Sequence, residues 1–441
     1  MRSPARRLAA ALALAALACG TAHALELKYM PLFTDEELRQ PHVNAPSQAV
    51  PHDFVDGQWQ GIIAASDGRT YFGVSSHSPD RNAQFYRYHP ATGKVEHLID
   101  VGEWCGDGKL VGRRNTQGKI HSNIYEADGK LYCSTTSAHA TLEHPYRGGH
   151  FLCYHLKTGK FEDLGLYPSK GGGLLTMVYE PVFGRLYAIN QHENTLCYYD
   201  LKTRKMATIG SIQDGMQCRN LITDRHGIVY GTAWGGVIYR YNPRTDTMGC
   251  LLTRLPHDPA APQPKPAPKS QGWMKTTWTP IVWDPATKWW YAVRGNDEYL
   301  FRFRPPPDPR SHRAEVEGLA PFGFRPSAEG QPRWASLGMA RRGRILYYCS
   351  YPIWRSMAHL MSYHIDTGKV THHGPIITAG RRRVSEIQSM VTGSDGKLHC
   401  VAMVWSIEGK DPAKPWANRA SCFFHARFMT IDPATDFVAG Q

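Results

Sequence analysis

Asp128-Gly129-Lys130-Leu131-Tyr132, followed by Tyr154-His155 and then Thr158-Gly159-Lys160, sets out the unit from which this chain is built. A glycine turn opens a short aromatic strand, a variable loop follows, and a second aromatic strand ends in a polar turn carrying Thr and Gly. Turn glycines flanking short runs of aromatic and β-branched residues specify antiparallel hairpins. Upstream the same unit reads Asp67-Gly68-Arg69-Thr70-Tyr71, Tyr86-Arg87-Tyr88-His89 and Thr92-Gly93-Lys94. Downstream it runs from Gly184-Arg185-Leu186-Tyr187 to Tyr199-Asp200 and Thr203, then from Gly227-Ile228-Val229-Tyr230 to Tyr239-Arg240-Tyr241-Asn242 and Thr245.

Three weaker copies complete the series. Trp289-Trp290-Tyr291 leads to Phe301-Arg302-Phe303, and Gly343-Arg344-Ile345-Leu346-Tyr347 leads to Tyr363-His364 and Thr367-Gly368-Lys369. The last copy joins Asp395-Gly396-Lys397-Leu398-His399 to the strand around Phe428 and to Thr435. A period of roughly 50 residues without helical periodicity is the length of one four-stranded propeller blade. The expected fold is therefore all-β: a seven-bladed β-propeller of four-stranded antiparallel blades, forming a single domain over 25–441. Leu25 to Trp59 precede the first copy and are expected to supply a closing strand, since a ring protects edges that a long all-β chain would otherwise expose. The stretch from Asp258 to Ser270, rich in Pro, Ala and Lys, reads as an exposed loop, because the repeat resumes after it.

Arg2, Arg6 and Arg7, the apolar run Leu8 to Ala18 and the site Ala22-His23-Ala24 have the order of a secretory signal, expected to span 1–24. Cys19 offers a lipoprotein signal as the alternative, in the poorer context Ala16-Leu17-Ala18. The apolar run is shorter than the ~20 residues of a membrane span, so a periplasmic or secreted protein without a span is expected. The chain carries 51 Lys+Arg against 38 Asp+Glu, a net charge of +13. A basic exported protein attracts anions. The arginines are scattered apart from Arg381-Arg382-Arg383 and no nucleic-acid motif accompanies them, so an anionic polysaccharide is the expected partner rather than nucleic acid. Of the ten cysteines, several sit in strand patterns such as Leu152-Cys153-Tyr154, which favours buried free thiols over a disulfide framework. No C-x-x-C pair or other spacing predicts a metal site.

The most polar copy is the second. Gly118-Lys119-Ile120-His121-Ser122 precedes it, Ser134-Thr135-Thr136-Ser137-Ala138-His139 lies within it, and His144-Pro145-Tyr146-Arg147-Gly148-Gly149-His150-Phe151 follows. Loops around the inner strands of a propeller reach the mouth of its central channel, where ligands bind.

Trp59-Gln60-Gly61, Gly118-Lys119-Ile120-His121, Gly148-Gly149-His150-Phe151, Phe161-Glu162-Asp163-Leu164-Gly165 and Cys218-Arg219, in that order, resemble the seven-bladed propeller polysaccharide lyases, notably ulvan lyases. The resemblance covers most of the chain after the leader and is clearest in its N-terminal half. It implies β-elimination on a uronic-acid-containing polysaccharide with no redox cofactor required; a structural calcium or zinc ion stays open, with no ligand spacing to support it. Such chemistry needs a cation to neutralise the C5 carboxylate, a base for the C5 proton and an acid for the leaving C4 oxygen, and neutralisation matters most because it stabilises the enolate-like charge. The resemblance assigns His121 to proton transfer at the leaving group, Arg219 to the carboxylate and Tyr187 to the base, with Tyr198 and Tyr199 competing. His139 or His150 stands for a second histidine, and Lys119, Arg147, Asn190 and His192 for substrate contacts. Relatives carry Thr-His where this chain has Thr135-Thr136, and Gln191-His192-Glu193-Asn194 replaces an aromatic-and-glycine stretch. The alternative is a non-catalytic propeller that binds anionic glycans or a protein.

Overall fold

In the computed structural model the described residues are 32–440, apart from 79, 108–115, 138–145, 170–171, 192, 213–217, 260–276, 295–298, 322–333, 352–356 and 406–423. The leader expected at 1–24 and nearly all of the Pro/Lys-rich loop lie outside them.

Seven sheets form, one for each copy of the repeat. Blade 1 comprises Ile62–Ala64, Thr70–Val74, Gln84–His89 and Lys94–Asp100, each strand antiparallel to the next. Blades 2 to 5 repeat this meander, beginning at Tyr125–Ala127, Leu174–Glu180, Ile222–Thr223 and Trp278–Asp284. The motif recognised in the sequence is thus the turn between first and second strands, the next two strands, and the turn into the fourth. Gly93, Gly159 and Gly368 occupy that last turn with φ near +70° and donate to the carbonyls of His89, His155 and His364. Only glycine takes this conformation without strain, which is why Thr-Gly-Lys recurs.

Closure departs from simple repetition in an informative way. The seventh blade takes Val384–Thr392, Leu398–Trp405 and Phe424–Ile431 from the end of the chain and its outermost strand, Ser47–Ala49, from the beginning. The segment before Trp59 thus supplies the closing strand. A second N-terminal strand, His42–Ala45, lies parallel to Val370–Thr378 of blade 6 and accepts the C-terminal Phe437–Val438 on its other side, so that blade 6 has six strands rather than four. Both termini are thereby tied into the ring.

Neighbouring blades are cemented by aromatic side chains from the repeat's own strands. Phe72 stacks on Phe428 across the closing seam at 4.8 Å, Tyr71 meets Tyr154 at 5.5 Å, Phe151 meets Tyr199 at 5.8 Å, and Tyr187 meets Tyr241 at 5.8 Å. Each pair contributes about 0.5–1.5 kcal/mol beyond the area it buries. Among the described residues Cys105, Cys133, Cys153, Cys197, Cys218, Cys349 and Cys400 are buried free thiols and Cys250 an exposed one. No helix among the described residues is long and apolar enough to cross a membrane. The first strands of six blades surround a central cavity of about 460 Å³.

Candidate functional site

The segments that lead into the innermost strands gather at one mouth of this channel. Gly61 and Gly73 of blade 1 leave room for Ile120: a Cβ on Gly73 would lie 2.7 Å from the Ile120 side chain, and one on Gly61 2.9 Å from it. Ile120 is fully buried against this glycine floor. Its seating fixes the direction of the next residue, His121.

His121 and Arg219, 98 residues apart in the chain, are in direct hydrogen-bonded contact, Nε2 to the guanidinium. The other ring nitrogen, Nδ1, donates to the Leu175 carbonyl at 3.1 Å. That bond puts the proton on Nδ1 and leaves Nε2 as the acceptor of an arginine N–H. Burial, with the charges of Arg219 and Lys119 adding to it, pushes the His121 pKa well below the ordinary histidine value, so the ring is neutral at neutral pH. Its face stacks on Trp59 with ring centroids 5.6 Å apart, and the Lys119 ammonium sits 4.1 Å from the same indole. Burial also lowers the Arg219 pKa, an effect that the Glu386 carboxylate opposes. Arg219 remains a cation, as guanidinium does in proteins. Both His121 and Arg219 are 3% exposed.

Polar groups surround the pair. Asn123 donates to Asn220 at 2.6 Å, Ser389 donates to Gln58 at 2.7 Å, and Gln388 donates to Glu386 at 2.6 Å. Asn123, Asn220 and Ser389 also line the channel. At the edge of the Trp59 ring, 4.9 Å away, His77 holds the buried Asp56 through Nδ1 at 2.9 Å. The sequence reading missed Glu386 and His77. Neither sits in a motif, and what brings them to the mouth is ring closure for Glu386, in blade 7, and the second-to-third-strand loop for His77.

The remaining expected site residues separate. Tyr187 does not join His121 and Arg219: it lies in the core of blade 3 between Tyr198 and Tyr241, and its hydroxyl accepts from Arg185 at 3.5 Å, at the opposite end of its strand from Asn190. Burial raises its pKa to about 12, which leaves it a poor base. Tyr198 packs on Tyr187 and Arg185, and Tyr199 on Phe151 in the seam with blade 2. His150 forms a different cluster, with Nδ1 3.0 Å from Asp163 and Nε2 3.5 Å from Asp107. Although burial acts the other way, those two carboxylates raise its pKa. Arg147 joins that cluster through Asp107 at 3.2 Å. Asn190 is buried and accepts from Ser169 at 3.0 Å. Of the expected substrate contacts among the described residues, Lys119 lies beside the pair. His139 and His192 fall outside the described residues.

Seven antiparallel blades in a ring around a channel define the class: a seven-bladed β-propeller. Solved structures with the same arrangement include a streptogramin B lyase (TM-score 0.53, 9% identity, covering 88% of this chain and 97% of that one). Virginiamycin B lyase from Staphylococcus aureus is similar at TM-score 0.50 and 10% identity, covering 88% and 99% of the two chains. U3-55K is similar at TM-score 0.53 and 10% identity, covering 89% and 100%. At such identity the likeness is one of fold. No protein-family model and no curated protein matches the chain.

Proposed function

We propose that this protein is an exported lyase that cleaves a uronic-acid-containing polysaccharide by β-elimination at the channel mouth. The observation that carries the reading is the contact between His121 and Arg219, two residues that the resemblance to propeller polysaccharide lyases selects and that the chain keeps 98 positions apart. In the proposed step the C5–H and C4–O bonds break, a C4=C5 double bond forms, and the C5 proton is taken up by a base while the leaving C4 oxygen takes a proton from solvent water. Arg219 receives the sugar carboxylate in a bidentate clasp. In doing so it releases Nε2 of His121, whose lone pair is then free beside the acidic C5–H. The neutral ring leaves Nε2 of His121 with a lone pair for the base step rather than a proton for the leaving group, and the substrate carboxylate on Arg219 offsets the positive charge that otherwise opposes protonation of the ring. Lys119 adds positive charge at the same place, and the basic balance of the chain draws an anionic polymer towards it.

Two observations favour a second reading, a propeller that binds glycan or protein without catalysis: the pair is deeply buried, and Tyr187 stands elsewhere. In that case His121, Arg219 and Glu386 pin three blades together at the hub. Substitution separates the two. Under the lyase reading His121→Ala and Arg219→Ala each abolish turnover of a cleaved polysaccharide, and the conservative His121→Gln is equally inactive while unfolding at close to the parent temperature. Full activity in both alanine variants removes this mechanism.

A further inference from the structure

Three copies of the repeat carry nearly the same hairpin between third and fourth strands, and one of them differs in kind. Blade 1 reads Arg87-Tyr88-His89, then Thr92-Gly93-Lys94-Val95-Glu96; blade 6 reads Ser362-Tyr363-His364, then Thr367-Gly368-Lys369-Val370-Thr371. Blade 2 reads Cys153-Tyr154-His155, then Thr158-Gly159-Lys160-Phe161-Glu162. The register is the same in all three: Arg87 faces Glu96, Ser362 faces Thr371 and Cys153 faces Glu162.

Residues two apart on a strand share a face, and a directly opposed residue shares it too. In blade 1 that face is closed by a charge clamp, since Arg87 and His89 both bind Glu96, at 2.6 and 3.0 Å. Blade 6 has no carboxylate there. Blade 2 keeps the histidine and the glutamate and puts a thiol where the guanidinium would be.

As a result Cys153 Sγ, a ring nitrogen of His155 and a carboxylate oxygen of Glu162 lie within 4.8 Å of one another. We propose that Cys153, His155 and Glu162 bind a thiophilic divalent cation such as Zn²⁺, with water or a small ligand in the fourth position. Thiolate, imidazole and carboxylate are the donor types zinc takes, and three protein donors with one open position is the arrangement of its exchangeable sites. The ligand atoms would draw in by about 1 Å to reach tetrahedral contact.

The two carboxylate oxygens of Glu162 are already divided: Oε1 accepts from Arg204 of blade 3 at 2.8 Å, while Oε2 faces His155 Nε2 at 3.1 Å. Arg204 thus orients the ligand from outside, and the cation replaces the proton shared between Oε2 and Nε2 together with the thiol proton. Entry is open. Cys153 and Glu162 line a cavity of about 320 Å³ between blades 2 and 3, and the side chains of His155 and Glu162 are partly exposed.

Titration of chelator-stripped protein with Co²⁺ tests the site. One equivalent is expected to give a thiolate-to-cobalt charge-transfer band in the near ultraviolet with visible bands of a four-coordinate ion, both displaced by Zn²⁺. Cys153→Ser should lose the charge-transfer band. His155→Gln with Glu162→Gln, at partly exposed positions that leave the core intact, should lose stoichiometric binding. A parent protein without the band, or a band undiminished in Cys153→Ser, overturns the assignment.

Discussion

His121 shows how much one hydrogen bond decides. Because Nδ1 donates to the Leu175 carbonyl, Nε2 can only accept, and a buried ring beside Arg219 and Lys119 resists a second proton. The same holds in blade 6, where Nδ1 of His359 and Nε2 of His372 lie 2.8 Å apart and share a single proton; burial, with His372 adding to it, pushes His359 down to about 4. A group whose folded pKa is depressed binds protons more weakly in the folded than in the unfolded chain. Its contribution to stability is therefore present above about pH 6.5 and is lost as pH falls towards the folded value. His150, raised by Asp107 and Asp163, acts in the opposite sense: its contribution is present at low pH and is lost as pH rises through its folded pKa. The unfolding temperature is expected to fall between pH 6.5 and 4, and His359→Gln to flatten that fall; calorimetry across the range checks it. An unchanged slope in the variant would mean that the blade 6 histidines do not carry the effect.

At the scale of elements, the link between blade 1 and the candidate site is steric. Gly73→Ala places a Cβ 2.7 Å from Ile120, whose main chain leads directly into His121. Overpacking of this kind costs about 1–3 kcal/mol, and the displacement reaches the imidazole. Turnover should therefore drop at least tenfold in Gly73→Ala, with a loss of stability that thermal unfolding measures; unchanged turnover would show that Ile120 does not set the position of His121. Elements also show what was readable from the chain. The turns and middle strands of each blade announce themselves, because glycine at positive φ and alternating aromatics are local requirements. Blades 3 and 4 lack the Thr-Gly-Lys turn because Arg204 and Asp246 take positive φ where blades 1, 2 and 6 use glycine. The innermost strands, as short as Ile222–Thr223, carry no signal of their own. His121 and Arg219 were legible through the motifs that flank them. Glu386 was not, since its place beside Arg219 depends on the whole ring, and the end of blade 3 at which Tyr187 sits was not, since an aromatic in a strand looks the same from either end.

For the molecule as a whole, closure is the governing event. The strand Ser47–Ala49 completes blade 7, and His42–Ala45 is clasped between blade 6 and the C-terminal strand, with Val43 and Ala45 fully buried. Removing the chain up to residue 49 leaves the outer edges of both blades unpaired, and such edges recruit other chains. The truncated protein should unfold at a lower temperature and self-associate in sedimentation, whereas a protein unchanged in both would show that the ring closes without its N-terminus. The site depends on the same event, because Trp59, His121, Arg219 and Glu386 come from blades 1, 2, 4 and 7.

The most direct measurement follows the bond that elimination creates. Incubation with ulvan, pectate, alginate and glycosaminoglycans, monitored at the ultraviolet band of an unsaturated uronate, is expected to give rising absorbance with at least one of them for the parent protein and none for Arg219→Ala. Silence with every acidic polysaccharide, or an equal rate in the variant, would contradict the account and leave the propeller as a binding scaffold.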